Sequence, residues 1–291
     1  MKEHSYRDEH PRGTIERLIY RTTDRDGASL DKYCLVYLPA GYDESDTKKR
    51  YNTLYLVHGG GGSQDAWLDC CKIKNMLDQS INTGETEPLI VVFPTFYKED
   101  VRRTGGPVRD VEQAAVLLFQ QELAEELLPA VESRFHTYAQ SGTPEALRAS
   151  RDHRAIGGFS MGSCVTWYAF VQHLDLFSRF LPLSGDCWAI EPMGGATHSA
   201  ETARLLRSTV LDAGFGPDDF RIFAATGTED MASKALTPHI EEMKKLTDVF
   251  RFEVDFAAGN AHYFVAQGKN HAYEDVYQYV YNYLPYLFPK A

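Results

Sequence analysis

The sequence predicts an α/β fold, in which helices cover both faces of a mostly parallel central sheet. Short β-rich apolar runs alternate with longer helical patterns, as expected for such a sheet. The 291 residues are 43% hydrophobic and 24% charged, a composition able to bury one large core. No internal repeat, low-complexity tract or linker divides the chain. We therefore expect one domain over residues 14–288, preceded by an N-terminal extension over residues 1–13.

The predicted elements follow from the position of apolar runs and turn residues. Eight runs are predicted to be strands: Thr14–Tyr20, Cys34–Leu38, Thr53–Val57, Leu89–Phe93, Ala155–Phe159, Phe180–Leu183, Arg221–Ala225 and Ala261–Val265. Six segments are predicted to be helices: Asp69–Ile81, Val111–Arg134, Met161–Gln172, Ala200–Ala213, Pro238–Leu246 and Tyr273–Leu284. Pro285 is expected to end the last helix. Residues 138–150 are expected to form a polar surface loop.

Composition and charge narrow the function classes. The formal net charge of −11 argues against a nucleic-acid or anionic-membrane partner. The five cysteines form no C-x-x-C pair and suggest neither a disulfide framework nor a zinc site, and no metal or cofactor is expected. The first ten residues lack an apolar core, and no apolar run is long enough for a membrane span. We expect no signal peptide, and a protein that is cytoplasmic or a domain cut from a longer secreted enzyme.

The segment Gly158-Phe159-Ser160-Met161-Gly162 is the most informative motif. It lies between a predicted strand and a predicted buried helix, the context that a nucleophile elbow requires. The glycines allow a turn too tight for β-carbons, which exposes the Ser160 hydroxyl at the end of the sheet. The alternative is an ordinary Gly/Ser turn before a helix. We predict that Ser160 is a nucleophile in an α/β-hydrolase fold.

A serine nucleophile needs a base, and the base needs an acid that orients it. In this fold the order is Ser, Asp/Glu, His, with each partner in a loop after a later strand. Asp230 and His271 satisfy that order and topology, and we predict them as acid and base. Glu229 and Asp186 are the rival acids. The other histidines considered as bases fit the order and topology less well: His58, His153, His198, His239 and His262.

The loop His58-Gly59-Gly60-Gly61-Gly62 follows a predicted strand and matches the HGGG-type oxyanion signature of lipases and esterases. Glycines let the backbone turn N–H groups into a cavity. We predict that the Met161 N–H and the N–H of Gly60 or Gly61 form an oxyanion hole. His58 is expected to anchor the loop. The alternative is that the four glycines form only a flexible loop.

With these motifs in place, the chain resembles a feruloyl esterase of carbohydrate esterase family 1, within the esterase D-like α/β-hydrolases. The resemblance covers nearly all of residues 14–288. It rests on the following segments: Val36–Asp43, Leu56–Gly61, Glu87–Val92, Ala149–Arg154, Gly157–Gly162, Leu183–Asp186, Ala225–Asp230 and Tyr283–Tyr286. These segments are similar to the esterase modules attached to bacterial xylanases.

The resemblance implies release of ferulate and related hydroxycinnamates esterified to arabinose on xylan or its oligosaccharides. It also implies that Trp188 lies near the substrate, and Asp186 and Tyr273 are further candidate contacts. The modules most similar to this chain tend to carry bulky aromatics directly after the catalytic histidine, whereas this chain has Ala272-Tyr273. Other esterases of this fold act on acetylated xylan, siderophore esters or thioesters. A non-catalytic carbohydrate-binding protein is the alternative from another class.

Overall fold

The computed structural model describes residues 1–7, 9–23, 27–98 and 108–289, with side chains from residue 112 onward in the last range. All eight predicted strands form, and they pair in one sheet of order β1-β2-β4-β3-β5-β6-β7-β8. Their bounds are β1 Thr14–Thr23, β2 Ser29–Leu38, β3 Asn52–Val57, β4 Leu89–Phe93, β5 Arg154–Phe159, β6 Arg179–Leu183, β7 Arg221–Gly227 and β8 Ala261–Ala266.

The sheet is mixed but mostly parallel. β1 and β2 pair antiparallel along ten residues each, and β2 joins β4 antiparallel. The remaining pairs, from β4 to β8, are parallel. β3 lies between β4 and β5. After β3 the chain forms β4 on one side of it and then crosses to the other side to form β5, so the order of strands in the sheet reverses at β3. Ligands of open α/β sheets bind at such a switch point, at the carboxyl ends of the strands.

Ten α-helices are found among the described residues: α1 Ala66–Cys71, α2 Ile73–Asn82, α3 Val108–Glu122, α4 Leu128–Arg134, α5 Pro144–Ala149, α6 Met161–Gln172, α7 Gly194–Thr197, α8 Ser199–Asp212, α9 Ser233–Met243 and α10 Tyr273–Leu287. The expected single helix over 69–81 is wrong, because Lys72 takes a left-handed conformation (φ 52°) that separates α1 from α2. The expected loop over 138–150 contains α5, which Thr143 caps by accepting the Ala146 N–H.

Two prolines inside helices contradict the predicted helix boundaries. α9 begins at Ser233 rather than at Pro238, and α10 continues past Pro285 to Leu287. Pro285 lies in the last turn of α10, so its missing N–H affects only the end of that helix. Between α3 and α4, residues Leu123–Leu127 form a π turn just before Pro129, which cannot donate to the carbonyl four residues earlier.

Two hydrophobic layers cover the sheet. One face packs against a cluster that includes Phe119 of α3, Val165 of α6 and Leu206 of α8. The other face packs against Met76 of α2 and Val280 of α10. α6 is buried from Met161 to Phe170, which explains why its sequence is apolar on every side. This helix fixes the turn in front of it, where Ser160 lies.

The start of the chain contacts the domain. The His4 N–H donates to Gln278 Oε1 (2.6 Å) on α10, and His4 Nε2 lies 2.9 Å from Gln79 Oε1 on α2. Lys2 donates its N–H to Asn282 Oδ1 (2.8 Å), also on α10. Residues in the predicted N-terminal extension are therefore bonded to helices on one face of the sheet.

Candidate active site

Ser160 occupies a strained turn between β5 and α6. Its backbone has φ 57° and ψ −116°, a combination that non-glycine residues rarely adopt. A β-carbon at Gly158 would lie 2.5 Å from the carbonyl of Gly162, and one at Gly162 would lie 2.4 Å from the Val57 carbonyl oxygen. Backbone atoms cannot give way at such distances, so both positions require glycine. The spacing of G-x-S-x-G thus follows from the close approach of β3, β5 and α6.

The structure brings Ser160, His271 and Asp230 together in one hydrogen-bonded chain. His271 Nε2 lies 2.9 Å from Ser160 Oγ, and His271 Nδ1 lies 2.7 Å from Asp230 Oδ1. An ionised aspartate only accepts, so the Nδ1 carries the proton and the Nε2 is free to accept the serine proton. The three residues follow β5, β7 and β8, whose carboxyl ends share one edge of the sheet.

The environment of Asp230 keeps its carboxylate ionised. Burial alone would raise the pKa of Asp230, but the hydrogen bonds from His271 and the Ala232 N–H, with the nearby Ser184 side chain, together lower it. The Ala232 N–H lies 2.8 Å from Oδ1. The rival acids are placed elsewhere: Glu229 is exposed, and the buried Asp186 bonds Trp188 and Gly195.

The other histidines make contacts that keep them out of this chain. His262 lies in β8 and bonds the Glu253 carbonyl oxygen through Nδ1 (2.8 Å). The predicted helix Pro238–Leu246 would place His239 at the start of a helix. In the structure His239 instead lies buried inside α9, against the ring of Trp167. The remaining two bond polar side chains away from Ser160: His153 with Asn52 and His198 with Glu191.

The glycine loop after β3 reaches the cavity beside Ser160. The N–H of Gly61, one of the two predicted loop donors, donates to the Tyr97 hydroxyl (2.8 Å). The Gly59 N–H donates to the Tyr273 hydroxyl (2.9 Å). Gly60, which lines the cavity with Ser160 and Met161, remains the candidate donor in this loop. Met161 begins α6, where an N–H has no partner within the helix.

His58 contacts the loop in the way expected of an anchor. Burial lowers the pKa of His58 to about 4, so its ring is neutral near pH 7. Its Nδ1 lies 2.7 Å from the Gly59 carbonyl oxygen, and its Nε2 lies 2.7 Å from Thr95 Oγ1. With the proton on Nδ1, the ring donates to Gly59 and accepts from Thr95.

A cavity of about 540 Å³ opens at Ser160 and His271. Trp188, Met193 and Met231 supply apolar wall, while Glu112 and Lys234 supply charged groups. The Trp188 indole donates to Asp186 Oδ1 (3.0 Å), and the Gly195 N–H donates to Asp186 Oδ2 (2.8 Å). Burial raises the pKa of Asp186 although these donors oppose the shift. The hydrogen bond from the indole to the Asp186 carboxyl holds the Trp188 side chain in the cavity wall.

Tyr273, a predicted substrate contact, is not among the residues that line this cavity. Its ring packs edge-on against Trp67 (5.1 Å between centroids) and Phe159 (4.9 Å). Its hydroxyl accepts a hydrogen bond from the Gly59 N–H. In this chain the aromatic residue near the histidine supports the loop instead.

Sequence reasoning missed several residues around Ser160. Tyr97 lies four residues after β4. Its position beyond the carboxyl end of a parallel strand could have identified it as a residue near the site. Met231 directly follows Asp230, and its position beside the predicted acid was a second signal. Glu112 and Lys234 lie on helices, where charged residues are ordinary, and no local pattern distinguishes them.

Within residues 1–7, 9–23, 27–98 and 108–289, no group of three or more His, Cys, Asp or Glu side chains could hold a metal ion. In the same part of the chain, no helix combines the length and apolar character needed to cross a membrane.

Comparison with known proteins identifies the family. The Esterase family model matches residues 31–279. The chain belongs to this family. It is 40% identical over 263 residues to endo-1,4-beta-xylanase Y of Acetivibrio thermocellus, a match that covers 90% of this chain and 22% of that protein. This esterase chain thus spans about a fifth of the length of that relative.

Solved structures of related proteins confirm the α/β-hydrolase fold of this esterase. A feruloyl esterase module from Clostridium thermocellum, solved with sinapinate as a serine-to-alanine mutant, is 38% identical with a TM-score of 0.81. The match covers 96% of this chain and 89% of that module. A ferulic acid esterase from Anaeromyces mucronatus, solved with ferulic acid, is 17% identical with a TM-score of 0.71 over 98% of this chain and 94% of its own. That second likeness supports the fold alone.

Proposed function

We propose that this chain hydrolyses esters of ferulate and related hydroxycinnamates through an acyl-serine intermediate. The observation that carries the proposal is the hydrogen-bonded chain from Ser160 through His271 to Asp230, at the mouth of a partly aromatic cavity. Ser160 is the nucleophile, His271 the general base and Asp230 the group that orients the imidazole. No metal or organic cofactor takes part in these steps.

Acylation begins when Ser160 Oγ attacks the ester carbonyl carbon and gives its proton to His271 Nε2. The carbonyl oxygen becomes negative and accepts hydrogen bonds from the Met161 and Gly60 N–H groups. The carbon–oxygen bond to the alcohol then breaks, and the leaving oxygen takes the proton from His271. Asp230 stabilises the imidazolium that exists between these two transfers.

Deacylation repeats the sequence with water. His271 takes a proton from water as the water oxygen attacks the acyl carbon, and a second oxyanion forms. When it collapses, the bond to Ser160 breaks, the serine recovers its proton from His271, and the carboxylic acid leaves. One base therefore serves both halves of the reaction.

A flat aromatic acyl group fits the apolar part of the cavity. The indole of Trp188 and the thioethers of Met193 and Met231 offer an aromatic face and sulfur contacts to a ring. Asp186 removes the freedom of the indole to rotate. Sinapinate, the ligand named for the 38% identical feruloyl esterase module, is a group of this kind.

The alcohol of the proposed substrate is an arabinose of arabinoxylan or of a feruloylated oligosaccharide. The relatives support this, since a second one, 26% identical over 190 residues, is an endo-1,4-beta-xylanase/feruloyl esterase of Xylanibacter ruminicola. At the cavity, Glu112 and Lys234 supply polar groups that can bond sugar hydroxyls. We propose no nucleic-acid or membrane partner.

The test compares hydrolysis rates across esters that differ in one part at a time. Methyl ferulate, p-coumarate, sinapate and caffeate vary the ring, while p-nitrophenyl acetate, acetylated xylan and a feruloylated arabinoxylo-oligosaccharide vary the acyl group and the alcohol. We expect the highest kcat/KM on the hydroxycinnamates, with none for Ser160→Ala. Faster hydrolysis of the acetyl esters, or of a siderophore ester or thioester, would reassign the substrate. Failure of a fluorophosphonate to label Ser160 would overturn the mechanism.

A further inference from the structure

Three successive peptide groups of the glycine loop are each held by a side chain. His58 Nδ1 donates to the Gly59 carbonyl oxygen, which also accepts the Gly62 N–H (3.1 Å). Because the N–H and C=O of a trans peptide point in opposite directions, this fixes the Gly60 N–H on the side away from His58. Gly60 lines the cavity together with Ser160.

The peptides on either side of the Gly59–Gly60 peptide are bonded by two tyrosines. Tyr273 Oη accepts the Gly59 N–H (2.9 Å), and Tyr97 Oη accepts the Gly61 N–H (2.8 Å). Gly61 has φ +68° at the third position of the Gly59–Gly62 turn, while Gly60 has no positive φ, as in a type II turn. Types I and II differ by a flip of the central peptide, whose N–H is that of Gly61. Tyr97 thus binds the group that moves when the turn flips.

Glu112 determines whether the Tyr97 hydroxyl acts as a donor or an acceptor toward Gly61. A phenol has one proton, and Tyr97 gives it to Glu112 Oε1 (3.0 Å). The Tyr97 oxygen must then be the acceptor toward Gly61. The same Oε1 would lie 2.6 Å from a β-carbon at Gly60, so the carboxyl packs directly against the turn. The bonds run from Glu112 through Tyr97 to Gly61.

We propose that Tyr97 and Tyr273 are positioning residues, which hold the peptides on either side of the Gly59–Gly60 peptide so that the Gly60 N–H stays directed at the oxyanion beside Ser160. The inference rests on the proposed function, because it assigns the oxyanion to Gly60. A run of four glycines has more conformational freedom than any other sequence of that length. The two hydroxyls remove that freedom without occupying the cavity.

The test measures kcat and KM on methyl ferulate, or on the best ester of the wild type, for Tyr97→Phe and Tyr273→Phe. Full loss of one oxyanion donor costs about 10²–10³ in kcat, so a misdirected donor should lower kcat by about 10–100-fold. KM should change by less than about twofold, since the interaction is made in the transition state. Tyr281→Phe is the matched control, because its hydroxyl bonds Glu85 on the surface (3.1 Å).

A transition-state readout separates positioning from general damage to the structure. A phenyl trifluoromethyl ketone forms a tetrahedral serine adduct, and its Ki should rise by the same factor as kcat/KM falls, while inhibition by ferulate stays unchanged. Glu112→Ala removes the acceptor of the Tyr97 proton and should lower kcat on methyl ferulate in the same direction as Tyr97→Phe. Equal activity of Tyr97→Phe and wild type would overturn the proposal. If instead the wild type neither hydrolyses esters nor labels with fluorophosphonate, the proposed function itself fails.

Discussion

The side chains of His271 and Asp230 meet through a 2.7 Å contact between Nδ1 and Oδ1, although 41 residues separate them in the sequence. The Asp230 side chain is fully buried, whereas His271 is partly exposed to the cavity. This contact decides which ring nitrogen carries the proton, and therefore which nitrogen can accept the proton of Ser160.

The first prediction concerns this tautomer. Asp230→Asn presents an amide donor to Nδ1, so the ring proton moves to Nε2 and the nitrogen facing Ser160 can no longer accept. We expect kcat to fall by about 10⁴-fold on a small hydroxycinnamate ester. Glu229→Gln is the control, because the neighbouring carboxylate is exposed, and it should keep wild-type rates. A strong loss in that control instead would make Glu229 the acid.

The second prediction concerns the aromatic wall. Trp188→Ala removes the indole that Asp186 holds in the cavity. An aromatic contact contributes about 0.5–1.5 kcal/mol beyond its buried area, so we expect kcat/KM on methyl ferulate to fall by about 10-fold or more. The rate on p-nitrophenyl acetate should change far less, because its acyl group is too small to reach the ring. Equal losses on both esters would show that Trp188 does not contact the acyl group.

The third prediction concerns the glycines of the elbow. Gly158→Ala places a β-carbon 2.5 Å from the backbone of Gly162, where nothing can move aside. We expect a loss of about 1–3 kcal/mol in the free energy of unfolding, together with a loss of esterase activity. Gly216→Ala is a matched control, since its nearest atom would be a side-chain oxygen at 3.7 Å. Denaturant unfolding of both variants measures the difference, and a stable, active Gly158→Ala would contradict the steric argument.

The fourth prediction concerns acid stability. His239 is fully buried, neither ring nitrogen has a hydrogen-bond partner among the described residues, and burial lowers its pKa to about 3. The unfolded chain binds the proton near pH 6.5, before the folded chain does. The stability is therefore present above about pH 6.5 and is lost as the pH falls toward 3, at roughly 1 kcal/mol for each step of one in pH.

Replacing His239 removes this source of acid sensitivity. His239→Leu should flatten the dependence of unfolding free energy on pH between 6.5 and 3, measured by urea denaturation at several pH values. His10→Leu, at an exposed position, should leave the pH dependence as it is in the wild type. The same slope in His239→Leu as in the wild type would mean that other groups cause the acid sensitivity.

Local patterns were enough to predict the strands and the order of the site residues. An apolar run followed by G-x-S-x-G predicts a strand and an elbow because the backbone geometry of the turn excludes β-carbons at Gly158 and Gly162. Asp230 and His271 were predictable because each directly follows a strand of a parallel sheet, and such strand ends meet at one edge. The helix boundaries at Lys72 and Pro285 could not be predicted in this way, because tertiary packing outweighs the local conformational preference of the chain there.

The fold class, the eight strands and the candidates Ser160, Asp230 and His271 could be predicted from local sequence, because each of these depends on a short segment and its neighbouring strand. Which glycine N–H remains for an oxyanion follows from contacts between distant parts of the chain. That choice depends on Tyr97 and Tyr273, which lie 36 and 214 residues from the glycines they bind. Hydrogen bonds over such separations require only that two groups meet in space, so they leave no spacing in the sequence.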